Sequence, residues 1–267
     1  MHKIFGAGTI KAILKNPTIY PEWWGAVGDG FTDDAPAINR CILAAHRNTV
    51  FLGQSFYRIT SEPITIKETE GDISRYEALG LSYPTGSSET YWIYTNPKTG
   101  VTLQNFEEKR RKIIINGCLI GDESLVGPVV YIYGFVNSIL QINGAIYVRN
   151  TSSSSVGLLQ VGTLYSSRIY VNSVLKENND RTGGAIINHT GAGCGVILGQ
   201  VFAWNYININ AMKGFEYGLV VTDRQALTTF CPNFTPIQGN TNKGGAMINK
   251  IDVRTMEYIK YPVYFKY

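Results

Sequence analysis

The alternation of apolar and polar residues divides the chain into one helix near its start and short strands almost everywhere else. Ile38, Cys41, Ile42 and Ala45 recur at helical spacing and make one apolar face, with Asn39, Arg40 and Arg47 off it. The pattern predicts a short amphipathic helix over residues 35–46. Asp33 or Asp34 is placed to cap it, because a carboxylate accepts hydrogen bonds from the first free amides and complements the positive end of the helix dipole. Pro36 falls in the first turn, where its missing N–H costs little. Just upstream, Gly25, Gly28 and Gly30 surround Asp29, and Asp29-Gly30 is a strong turn dipeptide. Gly28, Asp29, Gly30, Asp33 and Asp34 therefore read as a structural cap. A hard cation would also take oxygen ligands of this kind, but a turn and a helix cap already account for all three carboxylates.

Strand signals follow at Val50-Phe51-Leu52, Phe56-Tyr57-Arg58-Ile59 and Ile64-Thr65-Ile66. Residues 67–111 are polar and irregular, with Pro84, Gly86, Pro97 and Gly100, and read as a large insertion; loops of that length are often functional. From Lys112 onward, β-branched runs alternate with Gly, Asn and Ser. The pattern divides the chain into an N-terminal cap (1–66), the insertion (67–111) and a strand-rich remainder (112–267) within one elongated domain. The remainder repeats itself. Asn205-Tyr206-Ile207-Asn208-Ile209 matches Asn249-Lys250-Ile251-Asp252-Val253 at an offset of 44, and Phe215, Tyr217, Leu219 and Val221 match Ile259, Tyr261, Val263 and Phe265 at the same offset. Ser167-Arg168-Ile169-Tyr170-Val171 shares the pattern, and Lys112-Ile113-Ile114-Ile115 is a more distant copy. Self-similarity with variable insertions, such as 223–243, is what a stacked solenoid produces. An offset of 44 exceeds a single coil of about 20–30 residues, so it holds one coil plus an insertion, or two coils.

Strand parity then assigns faces. Ile169, Val171, Ile207, Ile209, Ile251 and Val253 point inward. Asn205 and Asn249 share that parity at the strand start and can stack as an internal asparagine ladder. The opposite parity holds Arg168, Tyr170, Asn172, Trp204, Tyr206, Asn208, Asn210, Lys250, Asp252 and Arg254. In register, these residues form one outward strip of aromatic, amide and charged groups. Sugar rings lay their C–H faces on Trp and Tyr, and their hydroxyls take amide, carboxylate and guanidinium partners. The strip is the candidate glycan-binding surface; the competing reading is a solvated face or one buried between subunits.

Composition narrows the alternatives. Abundant Gly (28) and Tyr (17) with few charges suit an all-β chain with many turns. A net charge of +4, without a basic cluster interleaved with aromatics, gives no sign of a nucleic-acid partner. The run Glu107-Glu108-Lys109-Arg110-Arg111-Lys112 mixes both signs and reads as a solvated turn. Four cysteines, Cys41, Cys118, Cys194 and Cys231, lie far apart without zinc or thioredoxin spacing and are expected as buried free thiols. No apolar run reaches the length of a membrane span, and residues 1–8 lack the continuous apolar core of a signal peptide. No nucleophile motif, phosphate loop or metal signature is present, and no cofactor is expected.

Catalytic candidates are sparse. Glycoside hydrolases set two carboxylates across the scissile bond. Of Glu177, Asp180, Glu216, Asp223, Asp252 and Glu257, only Asp252 lies on the strip, and a partner would come from the insertion carrying Asp223 or from a neighbouring subunit. A lyase would instead use an Arg or Lys base, and Arg254 stands beside Asp252. Asp252, Arg254 and Asp223 are thus the catalytic candidates, while His189, in a Gly-rich turn, reads as a turn residue.

The segment Glu22-Trp23-Trp24-Gly25-Ala26-Val27-Gly28-Asp29-Gly30-Phe31-Thr32-Asp33-Asp34, with the helix and strand after it, resembles the opening of the pectate-lyase-like β-helix proteins, phage tailspikes in particular. Gly214-Phe215-Glu216-Tyr217-Gly218-Leu219-Val220-Val221 and the Asn-Tyr-Ile-Asn-Ile strand are similar to coils of tailspikes and capsule depolymerases. The resemblance implies a right-handed parallel β-helix with a short N-terminal capping helix. It also implies a homotrimer on a phage tail, among other tail proteins, that binds and often cleaves bacterial surface polysaccharide. Its opening motif caps the helix and carries no catalytic residue. A non-viral polysaccharide lyase or hydrolase, and a structural tail rod, are the alternatives. The sequence stops at Tyr264-Phe265-Lys266-Tyr267, directly after a strand, and further chain or another subunit is expected to cover that end.

Overall fold

A computed structural model of the chain describes residues 18–45, 49–67, 112–136, 138–149, 152, 154–176, 192–199, 202–222, 227, 229–231, 246–247 and 249–266. The strands begin with β1 (Thr18–Ile19), β2 (Asp29–Asp33), β3 (Thr49–Leu52), β4 (Phe56–Ile59), β5 (Ile64–Lys67), β6 (Lys112–Ile115), β7 (Cys118–Gly121), β8 (Pro128–Val136) and β9 (Ile139–Val148). They continue with β10 (Val156–Tyr165), β11 (Arg168–Lys176), β12 (Cys194–Gly199), β13 (Phe202–Ala203), β14 (Tyr206–Lys213), β15 (Tyr217–Thr222), β16 (Ala246–Met247), β17 (Lys250–Glu257) and β18 (Tyr261–Lys266). A 3-10 turn spans Pro21–Trp24, and α1 spans Ala35–Ala44.

The protein is all-β, built on two curled sheets in which every described pairing is parallel. The first sheet runs β1-β3-β6-β9-β11-β14-β17, with β2, β4 and β7 alongside and β7 also joined to β9. The second contains β5, β8, β10, β12, β15 and β18, with β13 and β16 alongside. From β9 onward the chain passes back and forth between the sheets, with β13 following β12 and β16 following β15 within the second. Residues paired at equivalent strand starts stand 27, 29, 38 and 44 positions apart. The last two spacings are longer because chain is added between β11 and β12 and then between β15 and β17. The 44-residue repeat is therefore one passage through both sheets plus an insertion, not two passages.

Apolar parity forms the core. Ile113, Leu140, Ile169 and Ile207 stack in one buried row, and Ile115, Ile142, Val171 and Ile209 in the next. β-branched side chains fit such pleated, paired surfaces, and each buried one stabilises the fold by roughly 1.5–3 kcal/mol. The second sheet is covered on both faces. Val130, Leu158, Val196 and Leu219 join the main core, whereas Tyr131, Leu159, Ile197 and Val220 meet Leu227, Phe230 and Cys231 on the other side. Burial on both faces explains why β12 is apolar throughout rather than alternating.

The asparagine ladder read from the sequence is present, and it continues into serines. Asn205 donates from its amide to Asn249 Oδ1 at 3.0 Å and from Nδ2 to the Leu164 carbonyl at 2.9 Å. The Ser167 amide donates to Asn205 Oδ1 at 2.9 Å, Ser167 Oγ donates to the Phe135 carbonyl at 2.9 Å, and the Ser138 amide donates to Ser167 Oγ at 3.1 Å. These bonds satisfy buried backbone groups at the corner before each strand, which an apolar residue could not do.

At the start of the chain, α1 buries Ile38, Cys41 and Ile42. Asp34 occupies the N-cap position but does not cap through its side chain. Its buried carboxylate reaches back to the Val27 amide at 2.6 Å and the Gly28 amide at 3.1 Å. Burial raises its affinity for a proton despite these bonds. Asp33 accepts instead from the Thr60 amide at 3.0 Å and more weakly from Ala35 at 3.4 Å. Asp29 holds its own turn, accepting from the Phe31 and Thr32 amides at 2.8 and 2.7 Å. Gly28 has φ +70°, and a Cβ there would lie 2.6 Å from Ser55 Cβ, so the position requires glycine. All four cysteines are free thiols; Cys41, Cys194 and Cys231 are buried and Cys118 is partly so.

Candidate functional site

A recurrent five-residue pattern builds the outward face of the first sheet: Lys112-Ile113-Ile114-Ile115-Asn116, Ile139-Leu140-Gln141-Ile142-Asn143, Arg168-Ile169-Tyr170-Val171-Asn172, Tyr206-Ile207-Asn208-Ile209-Asn210 and Lys250-Ile251-Asp252-Val253-Arg254. Positions two and four turn into the core. Positions one, three and five face out, and the parallel register aligns them into three columns across the strands.

The columns are bonded to one another. Tyr206 donates its hydroxyl to Asp252 Oδ2 at 2.9 Å, and Asn208 Nδ2 approaches the same hydroxyl at 3.3 Å. Lys250 lies 3.3 Å from Asp252 Oδ2 and 5.2 Å above the Tyr206 ring. Tyr170 meets Tyr206 edge to face at 5.7 Å. In the third column Asn143 Nδ2 donates to Asn116 Oδ1 at 2.7 Å and Asn210 Nδ2 to Asn172 Oδ1 at 3.2 Å, while Gln141 Nε2 donates to Asn143 Oδ1 at 2.9 Å. The register thus brings Arg168, Tyr170, Tyr206, Asn208, Asn210, Lys250, Asp252 and Arg254 onto one surface.

Trp204 stands at the corner leading into β14. Its φ of +60° is a left-handed conformation that bulky residues rarely adopt, and its side chain is 50% exposed. The equivalent corner before β11 holds Ser166 at φ +49°. A non-glycine residue in this conformation costs about 1–2 kcal/mol, and here it carries an exposed indole.

The Tyr206 hydroxyl, then Lys250, holds the Asp252 carboxyl below the usual carboxylate range, with Arg254 adding to the effect. Asp252 is therefore ionised at neutral pH and suited to accept hydrogen bonds or act as a base or nucleophile; it is poorly suited to donate a proton as a general acid. Among the described residues it is the only carboxylate on the strip. Glu216 and Glu257 lie at a different corner, paired with Lys260 at 3.2 Å and Lys213 at 3.1 Å. Asp223, Glu177, Asp180 and His189 lie outside the described residues, as does most of the 67–111 insertion.

The sequence reading stopped the strip at Arg168 and left out Gln141, Asn116 and Asn143. The signal for them was available: a β-branched residue followed by Asn recurs at Ile115-Asn116, Ile142-Asn143, Val171-Asn172 and Ile209-Asn210. Among the described residues no group of three or more His, Cys, Asp and Glu is arranged to hold a metal ion. No family model, no curated protein and no solved structure matches the chain.

Proposed function

We propose that this chain is a tailspike-like module whose two sheets are faces of a right-handed parallel β-helix, and whose outward strip binds bacterial surface polysaccharide. The handedness follows from the strong preference of parallel crossovers for one hand, and the β-helix from the alternation of the chain between stacked parallel sheets. The resemblance of residues 22–34 to tailspike openings supplies the glycan class. The observation that carries the binding role is Trp204, an exposed indole on a left-handed backbone beside an ordered Tyr, Asn and charged surface. Residues kept in such conformations cluster where their side chains are used. Binding is favoured over cleavage, because Asp252 is a single ionised carboxylate and hydrolysis takes a protonated partner as well.

The test is affinity electrophoresis in gels containing surface polysaccharides from candidate host bacteria, with mass spectrometry of the glycan afterwards. Trp204→Gly relieves the backbone while removing the ring. It should fold normally, as judged by circular dichroism, yet bind at least about tenfold more weakly, a loss of roughly 1.4 kcal/mol. Unchanged affinity in the folded variant would overturn the assignment of the strip. Fragments that have gained water, or that carry unsaturated ends, would replace binding with hydrolase or lyase activity.

A further inference from the structure

The first outward column of the strip is cationic at every second strand. It runs Lys112, Ile139, Arg168, Tyr206, Lys250, in register through β6, β9, β11, β14 and β17. Neighbouring strands lie about 4.8 Å apart, so the cations recur at about 9.6 Å along the stack. Lys112, Arg168 and Lys250 are exposed, and the uncharged Ile139 and Tyr206 between them are partly so. The charge is one-sided. Among the described residues the strip carries a further cation, Arg254, and one carboxylate, Asp252. That carboxylate is already engaged by the Tyr206 hydroxyl at 2.9 Å and by Lys250 at 3.3 Å. Lys112, Arg168 and Arg254 are in no ion pair with another described residue. Cations gathered on one face raise the local concentration of anions.

We infer that the strip takes an acidic polysaccharide lying along this column, across the strands, with one carboxylate on every second sugar. A pyranose ring linked through opposite carbons advances a glycan by close to one strand spacing. Two sugars therefore span the step from one cation to the next. A uronate on every second sugar meets Lys112, Arg168 and Lys250 in turn, and the neutral sugars between fall over Ile139 and Tyr206. The planar guanidinium of Arg168 can donate two parallel hydrogen bonds to a carboxylate. The amides of Gln141, Asn143, Asn172 and Asn210 in the neighbouring columns supply partners for sugar hydroxyls. A polymer charged on every sugar would instead set a carboxylate over Ile139 and Tyr206, where no cation of the column meets it. The inference rests on the glycan reading of the strip and adds the charge of the glycan and its spacing.

Affinity electrophoresis of the full chain tests it with three probes: hyaluronan, in which a uronate alternates with a neutral sugar; hyaluronan reduced at its carboxyls; and polygalacturonate, with a uronate on every sugar. Hyaluronan should bind at least about tenfold more tightly than its reduced form, and the difference should shrink as salt rises. Polygalacturonate should bind no more tightly per carboxylate. Lys112→Gln and Arg168→Gln, both at exposed positions, should each weaken hyaluronan binding by about two- to fivefold. Lys213→Gln, which removes a cation away from the strip, should not. Equal binding of hyaluronan and its reduced form, lost in Trp204→Gly, would overturn the acidic class and keep the strip as a site for neutral glycan. Tighter binding of polygalacturonate would overturn the two-sugar spacing. Hyaluronan binding that neither Arg168→Gln nor Trp204→Gly weakens would overturn this inference and the glycan reading together. No binding of hyaluronan overturns the inference alone, provided host polysaccharide is still held by the wild type and released by Trp204→Gly.

Discussion

At Trp204 and at Lys176 single side chains are held against their own preferences, one sterically and one electrostatically. Lys176 is 5% exposed, donates to Ser155 Oγ, and lies 6.0 Å from the centre of the Phe215 ring. Burial pushes its pKa down to about 8. In the unfolded chain the amine keeps its proton to about pH 10.4. Between those values the unfolded state binds the extra proton, so the contribution of this site to stability rises with pH across that window. Below about pH 8 the buried ammonium weakens the fold. We expect the stability of the wild type to rise by roughly 3 kcal/mol relative to Lys176→Met between about pH 7 and 10.5. Urea denaturation of both proteins across that range checks it, in a Cys194→Ala background because the Cys194 thiol interacts with the Lys176 amine; parallel curves would refute the assignment.

At the scale of elements, the corner ladder couples strands that are distant in sequence. Asn205 is buried and serves three neighbours: the Ser167 amide, the Leu164 carbonyl and Asn249. Asn205→Ala leaves an amide and a carbonyl unsatisfied in the interior, and each such group costs about 1–3 kcal/mol. A total loss of about 2–4 kcal/mol is expected in urea denaturation. Asn205→Ser should recover part of it, because serine already fills the same place at Ser167. Equal losses for Ala and Ser would mean that packing, not hydrogen bonding, sets the value of this position.

For the whole molecule, burial falls sharply between β14 and β17. Ile207 and Ile251 are the same residue in the same register, yet Ile207 is 1% exposed and Ile251 is only partly buried. Ile207→Ala should cost about 2–5 kcal/mol, the range for deleting a fully buried aliphatic side chain. Ile251→Ala should cost less than about half as much, because its side chain is only partly buried. Urea denaturation of both variants checks it, and equal losses would refute the difference in burial.

What the amino-acid order settled by itself was periodic: α1, the strands at Thr49–Leu52, Phe56–Ile59 and Ile64–Lys67, the inward rows through Ile169 and Ile207, and the asparagine at Asn205. These features repeat at fixed spacing along the backbone, so a few adjacent residues specify them. The Ile-Asn recurrence from Ile115 to Asn210 was equally legible, since it obeys the same parity. Only the tertiary structure decided which of several nearby amides Asp34 would serve, because Val27 and Gly28 compete with the helix start through loop geometry and not through spacing. It also decided that Leu227, Phe230 and Cys231 cover the second sheet, because contacts across insertions of unequal length depend on where the chain returns, and no local pattern encodes that distance.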